Sequence, residues 1–282
     1  MASIERILPL LQCPVSGGAL QLESTGVLRA RKTTLRAPPW PVADGVVDFL
    51  TDEMRRAVAA GPPADHGLAP FDYSCLAHLD LAQYRWVLNL SAGNTTGRPD
   101  NVVEADVLRC PNTDVLLDTA ARFPFADDSF DHVLCLNAFE HYADPANAAR
   151  EIHRILKPGG HALVHTAFLQ PLHGDPNHYF NATKSGIAVW FRDFADLDIN
   201  VSQNLNPIIA LAWLASNLQW GMRTYSTPAA AERFEAMTVK ELSTFWSDPL
   251  ARDRDLWRAF LELPEQMKER AAAGFEVIAT KA

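Results

Sequence analysis

The sequence predicts an α/β protein: a doubly wound, mostly parallel sheet with a small N-terminal β-rich domain and a helical insertion before the last strand. Three observations carry that expectation. Trp86–Leu90 is a short apolar run, as a strand buried on both faces shows. It leads directly into Ser91-Ala92-Gly93, small residues that let a backbone turn tightly and approach a ligand closely. A second apolar run, Asn101–Ala105, then ends on an acid, Asp106. Strand, tight loop, strand and acid is how an open α/β sheet builds a nucleotide crevice at the carboxyl ends of its strands.

The totals narrow the class. At 282 residues the chain holds one large domain and a small one, and 48% apolar with 21% charged residues describes an ordinary globular chain. A net charge of −9 argues against a nucleic-acid partner, whose phosphates need clustered Lys and Arg. Met1 to Arg6 lacks the layout of a signal peptide, and no apolar run is long enough to span a bilayer. Cys13, Cys75, Cys110 and Cys135 are scattered without pair spacing, which predicts free thiols in a reducing cytoplasm.

Residues 1–53 read as the small domain: a short helix at Ile4–Leu11, a turn and strand from Cys13 to Leu20, and strands at Gly26–Arg31 and Val46–Leu50. Residues 54–68, with Gly61-Pro62-Pro63, read as a linker. Residues 70–83 read as a covering helix, where Phe71, Tyr73 and Leu76 either cap a ligand or pack in the core. From Trp86 onward strands and helices are expected to alternate, with further strands at Asp114–Leu117, His132–Leu136 and His161–Phe168. One helix is strongly signalled: Asp144 caps it, Pro145 opens it, and Ala149, Ile152, Ile155 and Leu156 fall on one face before Lys157-Pro158-Gly159-Gly160 stops it. About 181–267 is helical and carries Trp190, Trp213, Trp220, Trp246 and Trp257, five of the seven tryptophans. That region is read as an apolar lid or substrate pocket, with extra core or a homodimer surface as the plainer alternatives. Gly274–Thr280 reads as the last strand.

Four segments in order resemble class I methyltransferases that use S-adenosylmethionine (SAM), of the type 11-like group, with a Rossmann-like fold. They are Val87–Gly93, Asp106 at the end of the second strand, Asp118–Asp131, and Ala138–His141 followed by Arg154–Gly160. The N-terminal Leu10-Leu11-Gln12-Cys13-Pro14 and Pro41–Val46 resemble the zinc-ribbon-like domain that activates some methyltransferases. A closed zinc site needs four thiolate or imidazole ligands, and only Cys13 is present there, so a metal-free scaffold is expected. The family has an acid where Asn89 stands and glycine where Ser91 stands. No Gly-x-Gly-x-x-Gly is present, which disfavours a nicotinamide cofactor.

The resemblance assigns the SAM site. Asn89, Ser91, Ala92, Gly93 and Asn94 would meet the methionine end, and Asp106, with Glu104 as its rival, the ribose. Asp118, Thr119 and Ala120 would meet the adenine, Asn137 and Ala138 would border the methyl, and His141 would lie near the floor of the cofactor pocket or else cap the helix entry. The run Phe168–Asn181 follows the fifth strand, so it should overhang the donor. A hydroxyl or amine acceptor gains from a base, and His173 first, His178 second, with Tyr179 orienting, are the candidates. His173, Asp175 and His178 also form the ligand set of a non-haem iron centre; no metal is expected, since that centre is foreign to the resemblance. The reading is methylation of a small apolar or aromatic molecule in specialised metabolism. A tRNA or protein acceptor, a catalytically silent scaffold, and other chemistry on bound SAM remain open.

Overall fold

The computed structural model describes residues 4–31, 35, 37–60, 70–174, 177–248 and 253–273. The chain divides into two units: residues 1–168 with 175–198, and residues 169–174 with 199–282.

The first unit is built on a nine-stranded sheet of order β1-β2-β3-β4-β9-β8-β6-β10-β11. Its strands are β1 (Leu20–Leu22), β2 (Val27–Ala30), β3 (Trp40–Ala43), β4 (Val46–Asp48), β6 (Val87–Leu90), β8 (Val102–Asp106), β9 (Val115–Leu116), β10 (Phe130–Leu136) and β11 (Leu156–His165). A separate short pair joins β5 (Phe71–Asp72) to β7 (Thr95–Thr96). The four N-terminal strands form an antiparallel ladder, and every later pairing in the large sheet is parallel. β6 and β8 are buried throughout, because their side chains feed two apolar layers. Leu88, Leu90, Val103 and Ala105 pack with Phe123, Phe125, Phe130, Ile152 and Ile155. Val87, Val102 and Leu134 pack with Tyr73, Leu76 and Leu81.

The N-terminal strands are continuous with this sheet. Val47 pairs with Val115 in parallel register, and Ile7, Leu11, Cys13, Leu20 and Leu28 share the core of Leu88 and Phe125. The helix expected at Ile4–Leu11 is α1 (Ile4–Ile7) followed by a 3-10 turn, Leu8–Leu10, with Pro9 inside it. The linker expected at 54–68 begins inside a helix, α2 (Asp52–Ala60). Thr51 Oγ1 accepts the Met54 N–H at 3.1 Å, and Asp52 and Glu53 suit the positive end of the helix. Residues 61–69 lie outside the described residues.

Residues 70–83 do not form the expected α-helix. After β5 the chain makes 3-10 turns at Tyr73–Leu79 and Leu81–Gln83, because Asp80, at φ 44°, breaks the winding between them. Tyr73 and Leu76 are buried in the core, in agreement with the packing alternative. The alternation of strand and helix also fails three times among the described residues, the third time at 117–129 between β9 and β10. Residues 91–101 and 107–114 carry the chain from β6 to β8 and from β8 to β9 with no helix. A helical crossover takes a dozen or more residues, and these two segments are too short. Between β10 and β11 the expected helix is present as α3 (Pro145–Ile155), its N-terminus capped by Asp144 accepting from Asn147 N at 2.8 Å. Lys157–Gly160 does not separate it from the next strand, which starts at Leu156. Gly160 is needed there, since a Cβ would lie 2.9 Å from Lys157 O and 3.0 Å from Asp131 O. α4 (Lys184–Trp190) completes this unit, with Trp190 packed against Phe139 and Phe180.

The second unit is helical: α5 (Pro207–Tyr225), α6 (Pro228–Glu235), α7 (Val239–Ser247), α8 (Arg254–Leu261) and α9 (Glu265–Arg270). Its core is Met222, Ala231, Phe234, Leu256, Leu263 and Met267. Among the described residues no helix is long and apolar enough to cross a membrane. The strand expected at 274–280 lies outside the described residues. All four cysteines are free.

Candidate functional site

The carboxyl ends of β6, β8, β10 and β11 form one rim, since these strands run parallel in adjacent positions. Asp106 ends β8. Its Oδ2 accepts the Gly93 N–H and its Oδ1 the Leu108 N–H, each at 2.8 Å. Burial raises its pKa against the pull of these backbone donors. A carboxylate has about four lone-pair positions, so two N–H bonds leave acceptors for further donors.

Ser91 follows β6 in the left-handed region at φ 54°, and Gly93 at φ 63°. Serine pays a steric cost there that glycine does not. Tyr142 holds it: its hydroxyl lies 2.7 Å from Ser91 Oγ and 3.2 Å from Cys135 Sγ. A Cβ built on Gly93 would meet nothing within 4 Å, so the loop opens onto free space beside Asp106. That opening and the remaining acceptors of Asp106 fit a nucleoside with a diol. The loop is less free elsewhere. Ala92 N–H donates to Ala105 O at 3.3 Å, and Asn94 O accepts the Phe71 N–H at 2.9 Å. The backbone donors of Ala92 and Gly93 are thus engaged within the protein.

Asn89 is not placed to meet a ligand from the loop. It is 3% exposed within β6, and its Nδ2 donates to Tyr73 Oη at 2.7 Å. Its register partner on β8 is Glu104, so the acid that the resemblance expects at 89 stands one strand away. Glu104 is fully buried and two residues before the rim, which removes it as a rival to Asp106 for an exposed diol.

Asp118 lies just beyond β9. Its Oδ2 accepts from Thr51 Oγ1 at 2.7 Å, and its Oδ1 from Ala120 N at 2.9 Å. The Ala120 N–H expected to meet a base is therefore turned onto Asp118, a local turn that aspartate favours. Thr119 is half-buried and Ala120 exposed. Asn137 is exposed at φ 54°, its N–H bonded to His165 O at 3.0 Å, and Ala138 is buried beside it. His141 closes the 3-10 turn Phe139–His141, with Nδ1 2.8 Å from Asn177 O and its ring 5.5 Å from that of His178.

The three candidate catalytic residues fall in different units. His173 belongs to the second, where Nδ1 lies 2.8 Å from Pro171 O and the ring 4.9 Å from that of Trp213. His178 and Tyr179 belong to the first. His178 Nε2 lies 3.2 Å from Asn181 Oδ1, and Tyr179 N donates to Glu140 O at 2.7 Å. Asp175 lies outside the described residues.

Two rim residues were not anticipated. Tyr142 fixes Ser91, and no local pattern announces a contact between residues so far apart. His165 ends β11 as the register partner of Leu136, and burial lowers its pKa. Its position as the last polar residue of a strand at the carboxyl rim is the signal that was available.

A family model described as a methyltransferase domain matches residues 88–164. An uncharacterized methyltransferase of Mycobacterium tuberculosis is 49% identical over 57 residues, 20% of this chain and 23% of that protein. Another, of Mycobacteroides abscessus, is 28% identical over 130 residues, 44% of this chain and 48% of that protein. The crystal structure of YcgJ protein from Bacillus subtilis aligns at 18% identity with TM-score 0.33, covering 66% of this chain and 80% of that one. The alignments with the mycobacterial relatives thus span about a quarter to a half of each relative's length. Residues 88–164 form a methyltransferase domain.

Proposed function

We propose that the chain as a whole methylates an oxygen or nitrogen of a small apolar or aromatic molecule, as a step of specialised biosynthesis in the cytoplasm. The observation that carries this reading is the opening at Gly93 beside the buried carboxylate of Asp106, at the carboxyl ends of β6 and β8. When bound, SAM supplies a methyl on a sulfonium sulfur, open to in-line displacement by the acceptor. Asp106 would receive the ribose hydroxyls on its remaining lone pairs, Asp118 and Thr119 would meet the adenine, Asn137 and Ala138 would border the methyl, and His141 would lie near the pocket floor. His173 or His178 takes the acceptor's proton as the new bond forms, with Tyr179 orienting the acceptor. The acceptor class is inferred from aromatic surface in the helical region, where Trp220 is 51%, Trp246 90% and Trp257 41% exposed.

Residues 1–53 are, in this reading, a metal-free relative of the zinc-ribbon-like activator, built into the same sheet as the methyltransferase part, 69–282. The antiparallel ladder β1–β4 and Cys13-Pro14 support that kinship. A second copy of the chain is the partner proposed for exposed apolar surface, and free cysteines accord with a reducing compartment. One observation favours a silent scaffold instead: Ala92 N–H, Gly93 N–H and both oxygens of Asp118 already have partners within the protein.

Calorimetric titration with S-adenosylhomocysteine separates the two. Binding is expected, weakened about tenfold or more by Asp106→Asn, which halves the carboxylate's acceptor capacity. No heat at millimolar ligand overturns the enzyme reading. With binding in hand, S-adenosylhomocysteine release is measured over aromatic hydroxyl and amine acceptors, with tRNA as the competing class in a salt series.

A further inference from the structure

Glu104 is the most deeply buried carboxyl of the sheet that the proposed chemistry does not use, and its partners converge from both ends of the rim loop. Oε1 accepts from Tyr73 Oη at 2.9 Å and from Thr95 Oγ1 at 2.7 Å. Tyr73 Oη in turn accepts from Asn89 Nδ2 at 2.7 Å, one residue before the end of β6. Thr95 starts β7, immediately after Asn94. It is held a second time by Asn112, whose Nδ2 donates to Thr95 O at 2.8 Å and to Oγ1 at 3.1 Å. The Glu104 N–H donates to Asp114 Oδ2 at 3.0 Å, the same oxygen that Arg98 Nη1 meets at 2.7 Å.

Asn89, two residues before the loop, and Thr95, the residue after it, are therefore tied, through two hydroxyls, to a single oxygen. Ser91–Asn94 is strung between those anchors, with no following helix to brace it. Burial raises the Glu104 carboxyl against the pull of the Thr95 and Tyr73 hydroxyls, and Oε2 has no hydrogen-bond partner among the described residues.

We propose that Glu104 is a positioning residue: with Tyr73 and Thr95 it clamps the Ser91–Asn94 loop in place of the absent helix, and through that loop sets the affinity for SAM. The second half rests on the reading that this loop holds the cofactor; the first half does not. The amides of Ala92 and Gly93 are hydrogen-bonded in the clamped loop, which makes them reporters that need no ligand.

The test uses the full chain as Tyr73→Phe, Glu104→Gln and Glu104→Leu, each first checked for native circular dichroism. Hydrogen exchange at Ala92 and Gly93 is measured without ligand, followed by S-adenosylhomocysteine titration and KM and kcat for SAM. Tyr73→Phe keeps the ring and removes the hydroxyl. It is expected to speed exchange of both amides about tenfold and to raise Kd and KM about tenfold, with kcat unchanged. Glu104→Gln keeps an acceptor oxygen and is expected within about threefold of wild type; Glu104→Leu should match or exceed Tyr73→Phe. If Tyr73→Phe leaves both amides as protected as in wild type, the proposal is overturned, whatever the titration gives. If exchange rises while Kd and KM stay put, the loop does not set SAM affinity and the second half falls. Wild type that binds no S-adenosylhomocysteine, with exchange raised in Tyr73→Phe, leaves the clamp standing and removes the cofactor reading instead.

Discussion

Two parallel crossovers in the same sheet are built in opposite ways. Between β10 and β11 the chain makes α3, which buries Ala148, Ala149, Ile152 and Ile155 against the core and is held at its start by Asp144. Between β6 and β8 it makes no helix, and the connection is fixed by buried polar groups around Glu104. The first solution is apolar and tolerant, because dispersion and burial do not depend on angle. The second is directional, and each buried donor or acceptor left unpaired costs about 1–3 kcal/mol. The β6–β8 end of the rim thus rests on hydrogen bonds, and the β10–β11 end on packing.

The contrast can be broken at the helical crossover. Ile152→Ala removes a fully buried side chain and should cost about 2–5 kcal/mol in urea unfolding. Protection of the Ala92 and Gly93 amides against local opening should survive in the folded variant; its loss would mean the two crossovers are not independent. A second experiment sharpens what satisfaction means on the Glu104 face. His132, on β10, is stacked on Tyr84 at 5.1 Å with neither ring nitrogen hydrogen-bonded among the described residues. Burial, aided by the neighbouring His161, lowers its pKa from 6.5 to about 4. The unfolded chain then takes the proton first, so stability is present above pH 6.5 and is lost as pH falls toward about 4. His132→Phe keeps the stacking and should flatten that acid slope by at most about 3 kcal/mol between pH 7 and pH 4, read from urea midpoints. An unchanged slope would assign the acid sensitivity to other groups. The smallest effect belongs to Asp144→Ala, which removes the cap of α3 and should cost about 1 kcal/mol in the same measurement.

What could be read from the sequence follows from how local each signal is. α3 was legible because its cap, its first-position proline and its apolar stripe lie within one short window. β6, β8 and β10 were legible because strands buried on both faces are continuous apolar runs. The 3-10 turns at Tyr73–Leu79 were not, since their apolar spacing also suits an α-helix and the break is made by the backbone of Asp80. Nor was the hold of Asp106 on Gly93, of Thr51 on Asp118, or of Tyr142 on Ser91. Each joins residues far apart in the chain, and hydrogen bonds of that kind leave no periodic trace.

The pairing of Val47 with Val115 has a consequence for the birth of the chain. β4 leaves the ribosome well before the strand it must sit beside, so one of its edges waits with unpaired backbone groups while β6 and β8 are still being made. The sheet cannot be completed in chain order, since β4 finds its parallel neighbour only once β9 has been made.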